Sequence, residues 1–153
     1  GVVTGMVAGL GTITPASGFV GPAAAMLIGL SAGVVCFFAT HLVKRKLHID
    51  DSLDVFPVHG VGGILGTFLV GIFCSPQLGV FSGMGFGTGN VSIGQQVGVQ
   101  VLAIVVTIAY TAAVTWILLK LTGKLTGGLR VSEEEETEGL DLILHDERGY
   151  DIR

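Results

Sequence analysis

Two long stretches of this 153-residue chain, residues 1–43 and 55–119, contain no Asp, Glu, Lys or Arg. Charged residues make up 13% of the whole, where a soluble domain carries about 25%. This scarcity argues against a soluble globular fold. A helix needs about 20 apolar residues to cross a hydrocarbon core, and a buried soluble helix rarely runs that far without a charge. Cysteine is also scarce, with only two residues, which excludes a disulfide framework or a thiolate metal cluster. Cys36 and Cys74 lie in or at the end of apolar runs and read as small buried hydrophobes. The four histidines, at 41, 48, 59 and 145, are too scattered to read as a ligand set. No nucleophile–base pair or phosphate-binding loop is present, so the chain reads as neither an enzyme nor a binder of metal, cofactor or nucleic acid. The first residue is Gly1, not Met, inside an apolar stretch with no charged segment before it. No signal peptide is read there, and the chain is expected to be a fragment lacking its upstream portion.

The charge that is present falls in two unlike parts. Residues 1–130 hold three acids and six bases, a net of +3, and residues 131–153 hold nine acids and two bases, a net of −7. Hydrophobic residues make up 50% of the chain and the mean hydropathy is +0.75. The expected architecture is all-α: a polytopic transmembrane helix bundle over 1–130, followed by a cytoplasmic regulatory tail over 131–153. Four apolar segments are expected at about 1–14, 20–43, 53–73 and 95–119. The first ends at Thr14-Pro15, the second stops at Lys44-Arg45-Lys46 and the fourth stops at Lys120. Between the third and fourth lies SPQLGVFSGMGFGTGNVS, a charge-free stretch rich in Gly and Ser that reads as a loop. Two crossings separate the basic clusters, which places them on one side, and the positive-inside rule makes that side cytoplasmic. The expected location is therefore the cell (plasma) membrane, multi-pass, with a cytoplasmic C-terminus.

Glycine is abundant, with 25 residues. Gly1, Gly5 and Gly9, then Gly21, Ala25, Gly29 and Gly33, then Gly62 and Gly66 recur at four-residue steps. Such spacing puts small residues on one helix face and predicts close backbone approach in a multi-helix bundle.

Within this apolar chain His59 stands out, in the run DVFPVHGVGGILG. An ionisable residue in a span is costly and usually faces a bundle interior or a polar pathway. Histidine is the cheapest to keep neutral, its ordinary pKa being about 6.5. A neutral imidazole still offers one donor and one acceptor. It can line a path for a small polar solute, or it can bond a neighbouring carbonyl as a purely structural residue. Asp54 as helix N-cap would put Pro57 in the first turn and His59 about 7 Å along the axis. Either the helix starts earlier and Pro57 kinks it, or a vestibule reaches down to His59.

The run from Asp54 to Gly63, DVFPVHGVGG, resembles the ammonium transporter (Amt/Mep/Rh) family, in which an Asp-Val start precedes a His-Gly-x-Gly-Gly run. GMVAGLGTITPASGFVGP, LHIDDSLDVF and the tail GLRVSEEEETEGLD, with His145, Glu147 and Tyr150, resemble other parts of the same family in order. The likeness covers essentially the whole chain and points to the bacterial and archaeal Amt type. It implies eleven helices in two inverted halves, a homotrimer in membrane lipid, and one hydrophobic pore per subunit. This chain would be the C-terminal portion. His59 would be the second of two hydrogen-bonded pore histidines, and Val55 would line the pore. Asp54 would cap or brace the helix start, and Phe56 would serve packing. Ammonium would bind as a cation, give up its proton at the pore and cross a dry passage, with the imidazoles supplying hydrogen bonds.

The acid run 133–138 reads alone as a solvated, partly disordered stretch. The next residues interleave Leu140, Leu142, Ile143 and Leu144 with charge, which predicts docking. The resemblance implies a regulatory role for Glu138, Gly139, Leu140, Asp141, His145, Glu147 and Tyr150, with a PII signalling protein (GlnK-type) as cytoplasmic partner. Asp146 stands where many members carry glycine, which raises a question about the backbone there. Two other classes compete: an ammonium sensor of the same fold, disfavoured by the short tail, and a non-transporting membrane scaffold, disfavoured by His59.

Overall fold

A computed structural model describes residues 1–149, and among these every regular element is helical. The elements are α1 (Val2–Ile13), α2 (Pro22–His41), α3 (Gly62–Phe73), α4 (Ile93–Thr126), α5 (Glu133–Glu138) and α6 (Leu140–His145). Two stretches with wider, i→i+5 turns extend them: Leu42–Lys46 continues α2, and Phe56–Val61 leads into α3. With those extensions, three helices are long and apolar enough to cross a membrane: Pro22–Lys46, Phe56–Phe73 and Ile93–Thr126. The packed unit comprises Gly1–Thr107, and a second unit runs from Ile108 onward.

In the first unit, small residues let the helices approach closely. Along α2 the buried positions are Ala24, Ile28, Ala32 and Cys36, one step away from the expected glycine stripe. Gly29 and Gly33, like Gly1, Gly5 and Gly9, face no neighbour among the described residues, so those two stripes do not form the contact. The third set does. A Cβ at Gly62 would lie 2.7 Å from Thr12 Oγ1, and one at Gly66 would overlap the Thr12 backbone. At Gly66 α3 lies against α1 backbone to backbone, and at Gly62 it meets the Thr12 hydroxyl. One buried cluster joins Ala8, Cys36 and Val58, and a second joins Ala16, Ile28, Val70 and Cys74. Both thiols are buried and free.

Helix ends follow from local chemistry. After α1, Pro15 sits in a short 3₁₀ turn, Thr14–Ala16, and Gly18 turns the chain with φ +83°. Pro22 opens α2, where a missing N–H costs nothing. The 75–92 stretch is a loop, but a stitched one. Gly83 N–H donates to the Ser75 carbonyl at 2.8 Å, Met84 N–H to Phe19 at 3.0 Å and Gly85 N–H to Cys74 at 2.8 Å. Farther on, the buried Gln96 accepts through Oε1 from Gly87 N–H at 2.9 Å and Asn90 Nδ2 at 2.8 Å.

In the second unit, Lys120 does not stop α4. Lysine is a good helix former, so a basic residue can mark the edge of the apolar layer without ending the helix. Lys120 Nζ stands 6.0 Å from the Trp116 ring centre, a pairing suited to a membrane–water boundary. The helix continues to Thr126 and ends at Gly127 and Gly128, whose φ values of +76° and +153° suit only glycine.

Candidate functional site

The site is built at the start of the second membrane-length helix, Phe56–Phe73. Asp54 directly precedes it with φ +57°, a left-handed conformation that aspartate tolerates better than most residues. Its carbonyl accepts Val58 N–H at 3.0 Å. Of the two roles expected for Asp54, capping or bracing the helix start, its carboxylate does not take the capping one. Capping falls to Asp51, whose Oδ1 and Oδ2 accept Val55 N–H and Phe56 N–H, each at 2.8 Å. The left-handed backbone at residue 54 turns the Asp54 side chain toward α2 instead. There Lys44 Nζ lies 2.7 Å from Asp54 Oδ1, in ion contact but without the alignment of a hydrogen bond. Lys44 also donates to the Ser52 carbonyl at 3.4 Å. Because Asp54 is left-handed, the helix does not start upstream of it, which removes the first of the two geometries considered above.

Pro57 is fully buried within the wide turn Phe56–Val61. Such turns occur mostly as local insertions in helices and often at functional positions. His59 lies inside this one. A Cβ at Gly11 would stand 3.7 Å from His59 Nδ1 and 3.6 Å from the Val58 carbonyl, so α1 passes the imidazole with bare backbone. His59 and Val55 are exposed on the open side of the helix, while Val58 faces inward. Phe56 lies across Gly60, where a Cβ would come within 2.9 Å of its ring. A cavity of about 290 Å³ adjoins the inward side, lined by Thr4, Ala8, Cys36, Thr40, Asp54 and Val58 among others. The buried Thr12 hydroxyl has no aligned partner among the described residues.

In the tail, the acid run is helical rather than disordered. Ser132 Oγ accepts Glu135 N–H at 3.2 Å, and Glu135 Oε2 accepts Ser132 N–H at 2.8 Å. The Ser132 backbone and then its hydroxyl hold the Glu135 carboxyl below its ordinary value of 4.5. Glu138 ends α5, Gly139 turns with φ +100°, and Leu140 and Asp141 open α6. The Asp141 carbonyl accepts Glu147 N–H at 2.9 Å. His145 ends α6, and Asp146 follows with φ +51°. That left-handed position explains why glycine suits it. Leu140, Leu142, Ile143 and Leu144 are all exposed, and Tyr150 lies outside the described residues. Among the described residues no cluster of three or more His, Cys, Asp or Glu could hold a metal.

Residues 1–150 match the sequence pattern of the Ammonium Transporter Family. The chain belongs to that family. It is 43% identical over 151 residues to an ammonium transporter of Archaeoglobus fulgidus, covering 98% of this chain and 37% of that protein. A putative ammonium transporter of Methanothermobacter thermautotrophicus is 46% identical over 152 residues, covering 98% of this chain and 36% of its own. An ammonium transporter of Aquifex aeolicus is 45% identical over 152 residues, covering 99% and 34%. The chain thus spans about a third of the length of these relatives. As an ammonium transporter family member with three membrane-length helices, it is a membrane protein. Of the candidate residues in this family member, Val55 and His59 come together on the helix that starts behind Asp54. The tail candidates lie apart in sequence, in the second unit. Reading the sequence alone missed Lys44 and Asp51. The signal for Asp51 was its place three residues ahead of Asp54 in a run of three carboxylates, 50, 51 and 54.

Proposed function

We propose that the intact protein of which this chain forms part moves ammonium across the cell membrane through a hydrophobic pore, with His59 as a pore residue. One observation carries the reading. His59, the lone ionisable side chain of the second membrane-length helix, Phe56–Phe73, stands on the open side of that helix, in a wide turn beside bare α1 backbone. Family membership supplies the substrate class.

In this mechanism ammonium reaches the pore as a cation and gives one proton to the histidine pair, which passes it along the pore while neutral ammonia crosses, so that one positive charge moves per ammonium. The charged form would meet a desolvation cost that neutral ammonia avoids. Neutral imidazole offers ammonia one hydrogen-bond donor and one acceptor without placing a fixed charge in the passage. A second histidine from another part of the protein shares a hydrogen bond with His59 and completes the polar file. Val55, one turn before His59, narrows the apolar wall. Potassium has no proton to give and is rejected. The protein is a homotrimer with its C-terminus in the cytoplasm, and the tail residues Glu138 to Glu147, with Tyr150, convey the state of a bound PII-type protein.

The test is His59→Ala in the intact protein, reconstituted in lipid vesicles. Ammonium-driven current should fall at least about tenfold, an effect of the size expected for losing a positioned proton-transfer group. An undiminished current that still rejects potassium would remove His59 from the pore.

A further inference from the structure

We propose that Lys44 is a positioning residue for His59, holding the start of the third helix so that the wide turn keeps the imidazole in its facing. The inference rests on the reading of His59 as a pore residue.

The argument begins with the excess residue in the turn. Phe56–Val61 is wound i→i+5, one residue more per bonded ring than an α-helix. Were it to relax to α geometry, residues on its two sides would rotate relative to each other by about 100°, the angular step of one residue. His59 lies inside the segment and would leave its present facing. An excess of this kind persists only where the surroundings hold both of its ends.

The far end is held by packing. Gly62 and Gly66 rest against Thr12 and the backbone of α1, with no room for a Cβ, so that side cannot rotate. The near end is held by polar contacts. Asp51 accepts the first two N–H groups, at 2.8 Å each, and the Asp54 carbonyl accepts Val58 N–H at 3.0 Å. These groups all belong to residues 51–58 and could turn together as one body. Lys44 is different. It sits in the extension of α2, Leu42–Lys46, and reaches across to Asp54 Oδ1 at 2.7 Å and the Ser52 carbonyl at 3.4 Å. Its contact fixes the capped end to a second helix.

Burial makes the contact matter. The Asp54 side chain is 18% exposed. A carboxylate so covered is costly without a partner, and its relief on losing Lys44 is to swing outward. Asp54 holds a left-handed backbone, so that swing acts directly on the helix start. Arg45 and Lys46, in the same basic run, are exposed and make no ion pair among the described residues. Charge at this end is therefore not interchangeable among the three.

The experiment uses the intact protein in lipid vesicles and compares Lys44→Met, Lys44→Arg and Arg45→Met. Two quantities are read: current against ammonium concentration, and the His59 resonances by solid-state NMR of isotope-labelled histidine. Lys44→Met should lower the maximal current about tenfold, within the range for a displacement near 1 Å. The half-saturating concentration should stay unchanged and the His59 resonances should shift. Lys44→Arg should keep both near wild type, and Arg45→Met should change neither. Unmoved His59 resonances in Lys44→Met overturn the proposal, even if current falls together with Tm, because that pattern marks a merely structural lysine. If Lys44→Met does not assemble, Asp54→Asn keeps the shape and removes the pair. It should reproduce the shift, and wild-type resonances in it overturn the proposal equally. A wild-type protein that passes no ammonium current defeats the transport reading instead, while the NMR comparison still decides whether Lys44 sets the facing of His59.

Discussion

Residues 51–61 and residues 132–138 each begin a helix behind a side-chain oxygen, yet they are secured in opposite ways. At the first, Asp51 caps the helix, Lys44 arrives from another helix, and the helix continues onto α1 with backbone against backbone. At the second, the stabilising contacts among the described residues are local. Ser132 and Glu135 satisfy each other, and Arg130 reaches Glu136 at 3.2 Å with both side chains well exposed. Exposed pairs of that kind contribute about 0–1 kcal/mol. Each region also contains or adjoins a left-handed aspartate, Asp54 in the first and Asp146 beyond the second. Among the described residues only Asp54 is tied by an ion pair. The lesson is that the helix carrying His59 is held by distant residues, whereas the tail helices depend on their own few side chains and can be reshaped without disturbing a core.

That contrast can be broken at several points. The largest effect is expected at Gly66→Ala, where the new methyl meets the Thr12 backbone. Overpacking against backbone should destabilise the intact protein by about 3 kcal/mol, read from reversible unfolding in detergent. A change near zero would show that α1 gives way easily and that the first region is not rigidly held. Next comes Asp51→Ala, which strands the Val55 and Phe56 N–H groups. A loss of about 1 kcal/mol is expected, with faster amide exchange at residues 55–58 and none at 133–138. The smallest effect is acid titration of the tail. The Glu135 carboxyl is held below its ordinary 4.5, so its contribution is fully present above that value and is lost as pH falls through the lower folded value. Helical carbon shifts of residues 133–138 should hold above pH 4.5 and shrink below it. A tail helix that kept its shifts far below that pH would mean that something other than the capping box secures it.

Much of this was readable in the residues. Charge-free runs revealed membrane-length helices, and Thr14-Pro15 marked the break after α1 because proline after threonine cannot continue a helix easily. The DVFPVHGVGG run pointed to the helix that bears His59. What could not be read was which carboxylate caps it. Asp50, Asp51 and Asp54 share one short segment, and only the position of Lys44, ten residues before Asp54 and on another helix, separates their roles. The wide turn was hidden for a similar reason, since i→i+5 winding has no residue signature beyond a nearby proline. On α2 the contact within the described residues is taken by an alanine stripe one step from the glycine spacing. The capping box was fully legible as Ser132-x-x-Glu135 but was masked by the acid run around it. Asp146 was readable as a departure from glycine, and its left-handed backbone supplies the reason.

The stitched loop has a mechanical consequence. Main-chain hydrogen bonds from Gly83, Met84 and Gly85 fasten the turn after α1 to the end of α3, and α2 begins in the same place, where Gly21 approaches the Ser82 carbonyl. Three helices are thus bound at one end like pages at a spine. Any splaying of α1, α2 and α3 must open at the opposite edge, where Lys44 reaches across to Asp54 and the Ser52 carbonyl. The bundle has a hinge side and a latch side, and His59 sits nearer the latch.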